Sequence, residues 1–360
     1  MAPRAKKGRI RESPPPLLDE LEHAFDAPAI IYATGTRNPP NLFSGQVASD
    51  VLPVIGSHLD AIGKVKKLAL VLHTKGGALD TPWPLVNMLR HHATEELYVC
   101  VPELALSAGT LVALGANKIF MLPHAFLSPA DPTGNYNIEG KQQSYSVEDV
   151  LGYVDFVTER VGIRDQEALV QALTQLTQEV KATILGSIHR TRSLIERLAT
   201  NLLQLHIKEI DDQKRVVQIV DMLTHSLFTH DHMIPRREAC KVIGLKEVIE
   251  DLTLAQDQAL RAAREHIRSE LQCMEPFDPE ALLANAESGP TKKKDGHTTG
   301  NESRKLESVI ESKRAIVESR DGQDAFVTKY KISRGSDEQI QIKSVGVPAW
   351  LRVPPDPGRA

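Results

Sequence analysis

The stretch "VPELALSAGTLVALGANKIFMLPHAFLSPADP", from Val101 to Pro132, sets a single hydroxyl, Ser107, among small apolar residues, with Gly109 just beyond it. Two chemistries fit that pattern. A serine ahead of a helix caps it by accepting a bond from an orphan N–H. A serine on a strand-to-helix turn is instead a nucleophile, because the turn exposes its hydroxyl and the next backbone N–H points at the same spot. Earlier in the chain, "LHTKGGALD" ends a second apolar run in Gly76-Gly77. Glycines there can serve merely to turn the chain. Paired glycines also leave main-chain amides unshielded by side chains. If the two turns share one sheet edge, the amides of Gly76, Gly77 and Ala108 can form an oxyanion hole beside Ser107.

For the turns to share an edge, the elements carrying them must be parallel strands. "APAIIYATG" (Ala27 to Gly35), "KLALVLHT" (Lys67 to Thr74), "ELYVCVPE" and "KIFMLP" are short apolar runs of that kind. Helical patterns separate them: "SGQVASDVLPVIGSHLDAIG" (Ser44 to Gly63), "TPWPLVNMLRHH" with its prolines in the first turn, and the segment after Ser107. Strands alternating with helices predict a parallel α/β core, whose carboxyl edge is where ligands bind. "YNIEGKQQSYS" (Tyr136 to Ser146) reads as a loop. From Val147 to Leu203 the chain reads as helical, with Leu169, Leu173, Leu176, Val180, Ile184, Ile188, Ile195, Leu198 and Leu202 on one apolar face that the core or another subunit must cover. Further helical segments run from Lys214 to Leu227, Arg236 to Gly244 and Val248 to about Leu271. "RAIVESRDGQDAFVTKYKISR" alternates around an Asp321-Gly322 turn, and "QIQIKSV" adds a third strand.

The domain organisation expected is a basic, Pro-rich arm over 1–20, a main domain over 21–275, a linker over 276–304 and a small β-rich appendage over 305–360. The 360 residues are 41% hydrophobic and only 4% aromatic, so the core must be aliphatic. A net charge of -4 gives no overall field suited to nucleic acid, and the basic arm and Lys292 to Lys294 read as solubilising tails. Cys100, Cys240 and Cys273 are too scattered for a disulfide framework or a zinc cage. No apolar run approaches a membrane span and the N-terminus lacks a signal-peptide core, so a cytoplasmic protein is expected. "LTHSLFTHDHMIP" gathers His225, His230, Asp231 and His232, but the spacing suits a helix end, with Asp231 or Thr229 as cap, better than a metal. Neither a cofactor nor a metal is expected.

The order of "LHTKGG", "VPELALSAGTLVALGANKIFMLPHAFLSPADP" and "FTHDHMIPRREACKVIGL", between roughly Ile30 and Leu252, resembles the serine-dehydrogenase-proteinase branch of the Clp-protease/crotonase superfamily. More distantly it is similar to signal-peptide peptidase A. The resemblance implies an α/β fold of stacked ββα units with long helices, assembled as trimers or hexamers. It makes Ser107 the nucleophile, Gly76, Gly77 and Ala108 the oxyanion donors, and Ser128 to Pro132 the floor of a substrate groove. Lys75 stands where the family usually has proline, and Ser128 where it usually has glycine. The Clp-type histidine would fall near Ala130, where there is none, so a Ser-His-Asp triad is not expected. A serine still needs a base. The peptidase-A relatives use lysine, which makes Lys141 the foremost candidate, with Lys75 and His124 as alternatives. Asp131 and His230 are possible neighbours of the site.

The resulting expectation is a serine peptidase acting on peptide or protein substrates through an acyl-enzyme, as a homo-oligomer without membrane span or nucleic-acid partner. One alternative is an oligomeric scaffold of the same fold that lacks a competent base. Another is a crotonase-type enzyme binding acyl-CoA, for which Asp80, Glu103 and Asp131 would have to supply the carboxylates.

Overall fold

A computed structural model of the chain describes residues 16–35, 45–130, 133–138, 141–209, 212–226, 232–288, 307–334 and 339–354. The chain begins with α1 (Pro16–Phe25), β1 (Ala29–Thr34), α2 (Val51–Ile62), β2 (Val65–His73) and α3 (Pro82–His92). It continues through β3 (Ala93–Val101), β4 (Leu104–Ala105), α4 (Ala108–Leu114), β5 (Lys118–Met121) and β6 (Phe126–Leu127). A hairpin of β7 (Thr133–Ile138) and β8 (Lys141–Ser146) leads to α5 (Val147–Asp155), α6 (Gln166–Glu179), α7 (Ala182–Gln204) and α8 (Gln213–Asp221). Then come β9 (Ile234–Pro235), α9 (Arg236–Glu238), β10 (Ile249–Glu250), α10 (Leu254–Glu270) and α11 (Pro279–Ser288), followed by β11 (Glu307–Ser319), β12 (Gly322–Arg334) and β13 (Ile340–Arg352).

Among the described residues the large sheet runs β10-β5-β3-β2-β1-β11-β12-β13. Its first five strands are parallel, as their continuous apolar runs require: every residue of β1 and the last six of β2 are buried. The C-terminal strands are present, turning at Ser319↔Gly322, and they extend the same sheet, because β11 pairs antiparallel with β1. Successive side chains of β11 identify what covers each face. Glu318 meets His266 of α10 at 2.7 Å, while Ser319 meets His58 of α2 at 2.6 Å. One layer thus holds α2, and with it α3, α4 and α7; the other holds α1 and α10.

The helix starts follow simple rules. Pro53, Pro82 and Pro84 all sit in first turns, where no intrahelical N–H is lost. α10 opens with a capping box between Thr253 and Gln256. No helix among the described residues is long and apolar enough to cross a membrane.

Three expectations are corrected. The helix expected from Val248 begins only at Leu254, because Ile249 and Glu250 pair with β5 as strand β10. "YNIEGKQQSYS" is not a loop but most of the β7–β8 hairpin, paired from Thr133↔Ser146 to Ile138↔Lys141. The apolar stripe from Leu169 to Leu202 is not one face, because the helix breaks between Glu179 and Ala182. Ile195, Leu198 and Leu202 are buried, the first and last of them in the main core, whereas Val180, Ile184 and Ile188 form a satellite cluster with Val150. α6 buries no residue, and Leu173 remains 46% exposed.

A candidate active site at the carboxyl edge of the sheet

The small sheet, β4-β6-β9, grows out of the large one at its carboxyl edge. Just past β2, Thr74 bridges Ala105 in parallel: its N–H donates to Leu104 O at 2.8 Å and its carbonyl accepts from Leu106 N at 3.0 Å. Two residues further along each strand, this register sets Gly76 beside Ser107. A Cβ on Gly76 would lie 2.8 Å from the Ser107 Cβ, 2.8 Å from Leu106 O and 3.3 Å from Ala108 N. With φ at 105°, the position suits only glycine on both counts. The turns that the sequence places apart are in van der Waals contact.

Ser107 precedes α4 with φ 50° and ψ −114°, an uncommon conformation for a residue with a side chain. Its hydroxyl makes no cap hydrogen bond, so the capping role open to it in the sequence is not used. The residue is half-buried, whereas Ala108 and Gly109 are buried. Its N–H donates to Ser128 Oγ at 2.8 Å, and its carbonyl accepts from Leu111 N at 3.1 Å.

The three amides expected as oxyanion donors differ. That of Gly76 is engaged: it donates to Thr74 Oγ1 at 3.0 Å, and Thr34 Oγ1 donates to the same oxygen at 2.8 Å. The N–H groups of Gly77 and Ala108 have no acceptor among the described residues. Val47 fixes the Gly76-Gly77 segment from the far side, donating to Gly76 O at 2.9 Å and accepting from Ala78 N at 2.8 Å. A Cβ on Gly77 would fall 2.1 Å from Val47 O.

The other candidates separate by strand geometry. His73 shares a face with Ala33, Ile316 and Glu318, the α10 side, since paired residues point alike and neighbours alternate. It is buried, Nδ1 stands 3.9 Å from Glu103 Oε2, and Arg268 clamps that carboxylate from α10. Burial pushes the imidazole down to about 4, against the pull of Glu103 and with the charges of Arg268 and Lys75 adding to the fall. Lys75 is exposed, and its charge reaches His73. His124 is exposed in the turn before β6, four residues ahead of Ser128. Lys141 opens β8, where the backbone is described. Asp131 and His230 lie outside the described residues, as do Thr229 and Asp231, the proposed cap. His232 pairs with Glu238 at 2.8 Å.

Sequence reasoning missed Thr74, and it singled out Ser128 only as part of the groove floor and as a departure from the usual glycine, not as the acceptor of the Ser107 amide.

Residues 55–145, the stretch holding both turns, match the family model described as ClpP-like SDH-type serine proteinase. An uncharacterized protein of Methanocaldococcus jannaschii is 28% identical over 189 residues, 51% of this chain and 54% of that one. A second uncharacterized protein of the same organism is 22% identical over 163 residues, 45% and 46% of the two chains. The chain spans about half the length of these curated relatives. Among solved structures, a membrane-bound stomatin-specific protease gives a TM-score of 0.33 at 15% identity, over 63% of this chain and 82% of that one. ClpP1 from Listeria monocytogenes gives 0.33 at 12% identity, over 67% and 96%. Across the segment that carries Gly76, Gly77 and Ser107, the chain is similar to the ClpP-like SDH-type serine proteinases.

Proposed function

We propose that this chain is a serine peptidase with Ser107 as its nucleophile. The observation that supports the reading is the contact of Gly76 with Ser107 and Ala108, which joins the turn holding half-buried Ser107 to the turn holding Gly77, while the Gly77 and Ala108 amides are unengaged among the described residues. In the proposed reaction Ser107 Oγ attacks the scissile carbonyl carbon and gives its proton to a neutral amine. The carbonyl oxygen takes the negative charge between the N–H groups of Gly77 and Ala108. The leaving amine takes the proton back as the C–N bond breaks, and water then hydrolyses the ester.

Lys141 is the proposed base. Supporting it are the solvent exposure of both Lys75 and His124, and a chain path that enters the β7–β8 hairpin directly after the Ser128 segment. A lysine serves as base only once desolvation or neighbouring charge lowers its pKa. Assembly as a homo-oligomer is part of the same reading, supported by the apolar residues Val170 and Leu173 left exposed on α6. Light scattering of the intact chain measures it.

The deciding experiment is labelling with a fluorophosphonate. Intact protein is expected to label at Ser107, Ser107→Ala to be silent, and Lys141→Met to label at least about 10²-fold more slowly. An intact oligomer that fails to label overturns the peptidase reading and supports the scaffold.

A further inference from the structure

We infer that Ser128 is a positioning residue that decides which of two uses Ser107 is put to, helix cap or nucleophile. The inference rests on the reading of Ser107 as nucleophile. Ser107 has its unusual backbone torsions although nothing in its own chemistry favours them, so its surroundings must hold it there. One contact reaches its amide: the Ser107 N–H donates to Ser128 Oγ at 2.8 Å.

The Ser128 hydroxyl is fixed on every side. It donates to Pro129 O at 2.9 Å, which leaves its lone pairs facing the Ser107 amide. The Ser128 N–H donates to Thr110 Oγ1 at 3.1 Å, and Thr110 Oγ1 lies 2.9 Å from Ser128 O and 2.8 Å from Ala105 O. Thr110 belongs to the first turn of α4, so the helix that follows Ser107 also holds the group that orients it. Ser128 is only 2% exposed and Thr110 is fully buried, so water does not replace either partner.

Alanine at position 128 removes the acceptor and leaves the Ser107 amide unpaired. The backbone then relaxes toward the ordinary entry to a helix, in which a serine side chain turns onto the amides of the first turn. In that arrangement the hydroxyl caps α4 and points away from the Gly77 and Ala108 amides. Ser128 holds the turn in its other state, and does so through the Ser107 amide.

Three measurements test this. In Ser128→Ala, fluorophosphonate labelling of Ser107 is expected to fall by about 10²-fold, the cost of a misplaced reacting group. Its pH midpoint should stay where the wild type has it, because the base is untouched, and peptide turnover should lose kcat with KM little changed. Ser128→Cys keeps the volume without a good acceptor and should behave like Ala; Ser128→Thr keeps the acceptor and should recover most of the rate. Hydrogen exchange reads the contact directly: the Ser107 amide is protected in the wild type and loses that protection in Ser128→Ala. Equal labelling rates in folded wild type and Ser128→Ala overturn the inference while leaving the nucleophile reading intact. A Ser107 amide that exchanges in the wild type like an exposed one also overturns it. If the wild type itself does not label, the nucleophile reading falls, and the inference with it.

Discussion

At Gly76 two demands coincide, a positive φ and the absence of a side chain against Ser107. Gly76→Ala must therefore move Leu106 O or Ser107 itself. The expected outcome is loss of fluorophosphonate labelling together with destabilisation of at least 1–3 kcal/mol, roughly the strain of one left-handed residue. Gly63→Ala is the control: its φ is 75° but nothing stands within 4 Å of the added carbon. It should cost about 1–2 kcal/mol and leave labelling unchanged. Equal effects of the two on labelling would mean that the contact at Gly76 does not shape the site. The turns themselves were legible because Gly-Gly and a lone serine punctuate apolar runs. The hydroxyls of Thr74 and Ser128 were not, since a sequence does not tell which serines and threonines are buried. Lys75 and His124 are both exposed, and which basic group serves Ser107 is not legible from spacing along the chain.

The elements were easiest to read where they are buried on both sides. β1, β2, β3 and β5 announce themselves as apolar runs, whereas the β7–β8 hairpin is polar along its length and looked like a loop. The α6–α7 break was hidden because its apolar spacing carries on through Val180 into a new helix. Composition pointed to a separate C-terminal module, yet hydrogen bonding joins β11 to β1, and the side chains of Ile316 and Val317 pack into the main core. Trp350 Nε1 of β13 donates to Asp50 Oδ2, at the start of α2, at 2.9 Å. His58 of α2 bridges Ser319 and Asp324 at 2.6 and 3.0 Å. These contacts predict one cooperative unit. The two tryptophans report on its two ends, Trp83 on α3 and Trp350 on β13. Single-tryptophan variants should unfold in urea with coincident midpoints. Ile316→Ala, in the seam, should lower both together by about 2–5 kcal/mol. Separate midpoints would show that the C-terminal strands melt on their own.

Over the whole molecule, the buried histidines set how stability depends on pH. Burial pushes His73 and His206 down to about 4 from an ordinary 6.5, and it lowers His58 as well. Burial holds His206 neutral, with the charges of Arg90 and Arg215 adding to the fall, while the hydrogen bond to Leu114 O, 2.9 Å from Nε2, works against it. The folded chain keeps His73 and His206 uncharged, while the unfolded chain protonates them below about 6.5. Their stabilisation is therefore complete above that value and is lost as pH falls from about 6.5 toward 4, at about 1.4 kcal/mol per pH unit for each group. His73 and His206 together should remove about 3–4 kcal/mol between pH 7 and pH 5. That is a large share of the roughly 5–15 kcal/mol available to a folded domain. Glu103 is held below its usual range: burial works against this, but the Arg268 hydrogen bond and the neighbouring charges prevail, so it steepens the loss only at lower pH. Urea unfolding at pH 7, 6 and 5 measures the slope. His206→Gln keeps a donor for Leu114 O without a titrating ring, so it should reduce the slope by about 1.4 kcal/mol per pH unit. A wild-type stability that stays level from pH 7 to pH 5 would mean that these rings are hydrated in the folded chain, and that the layers closing over both faces of the sheet admit water.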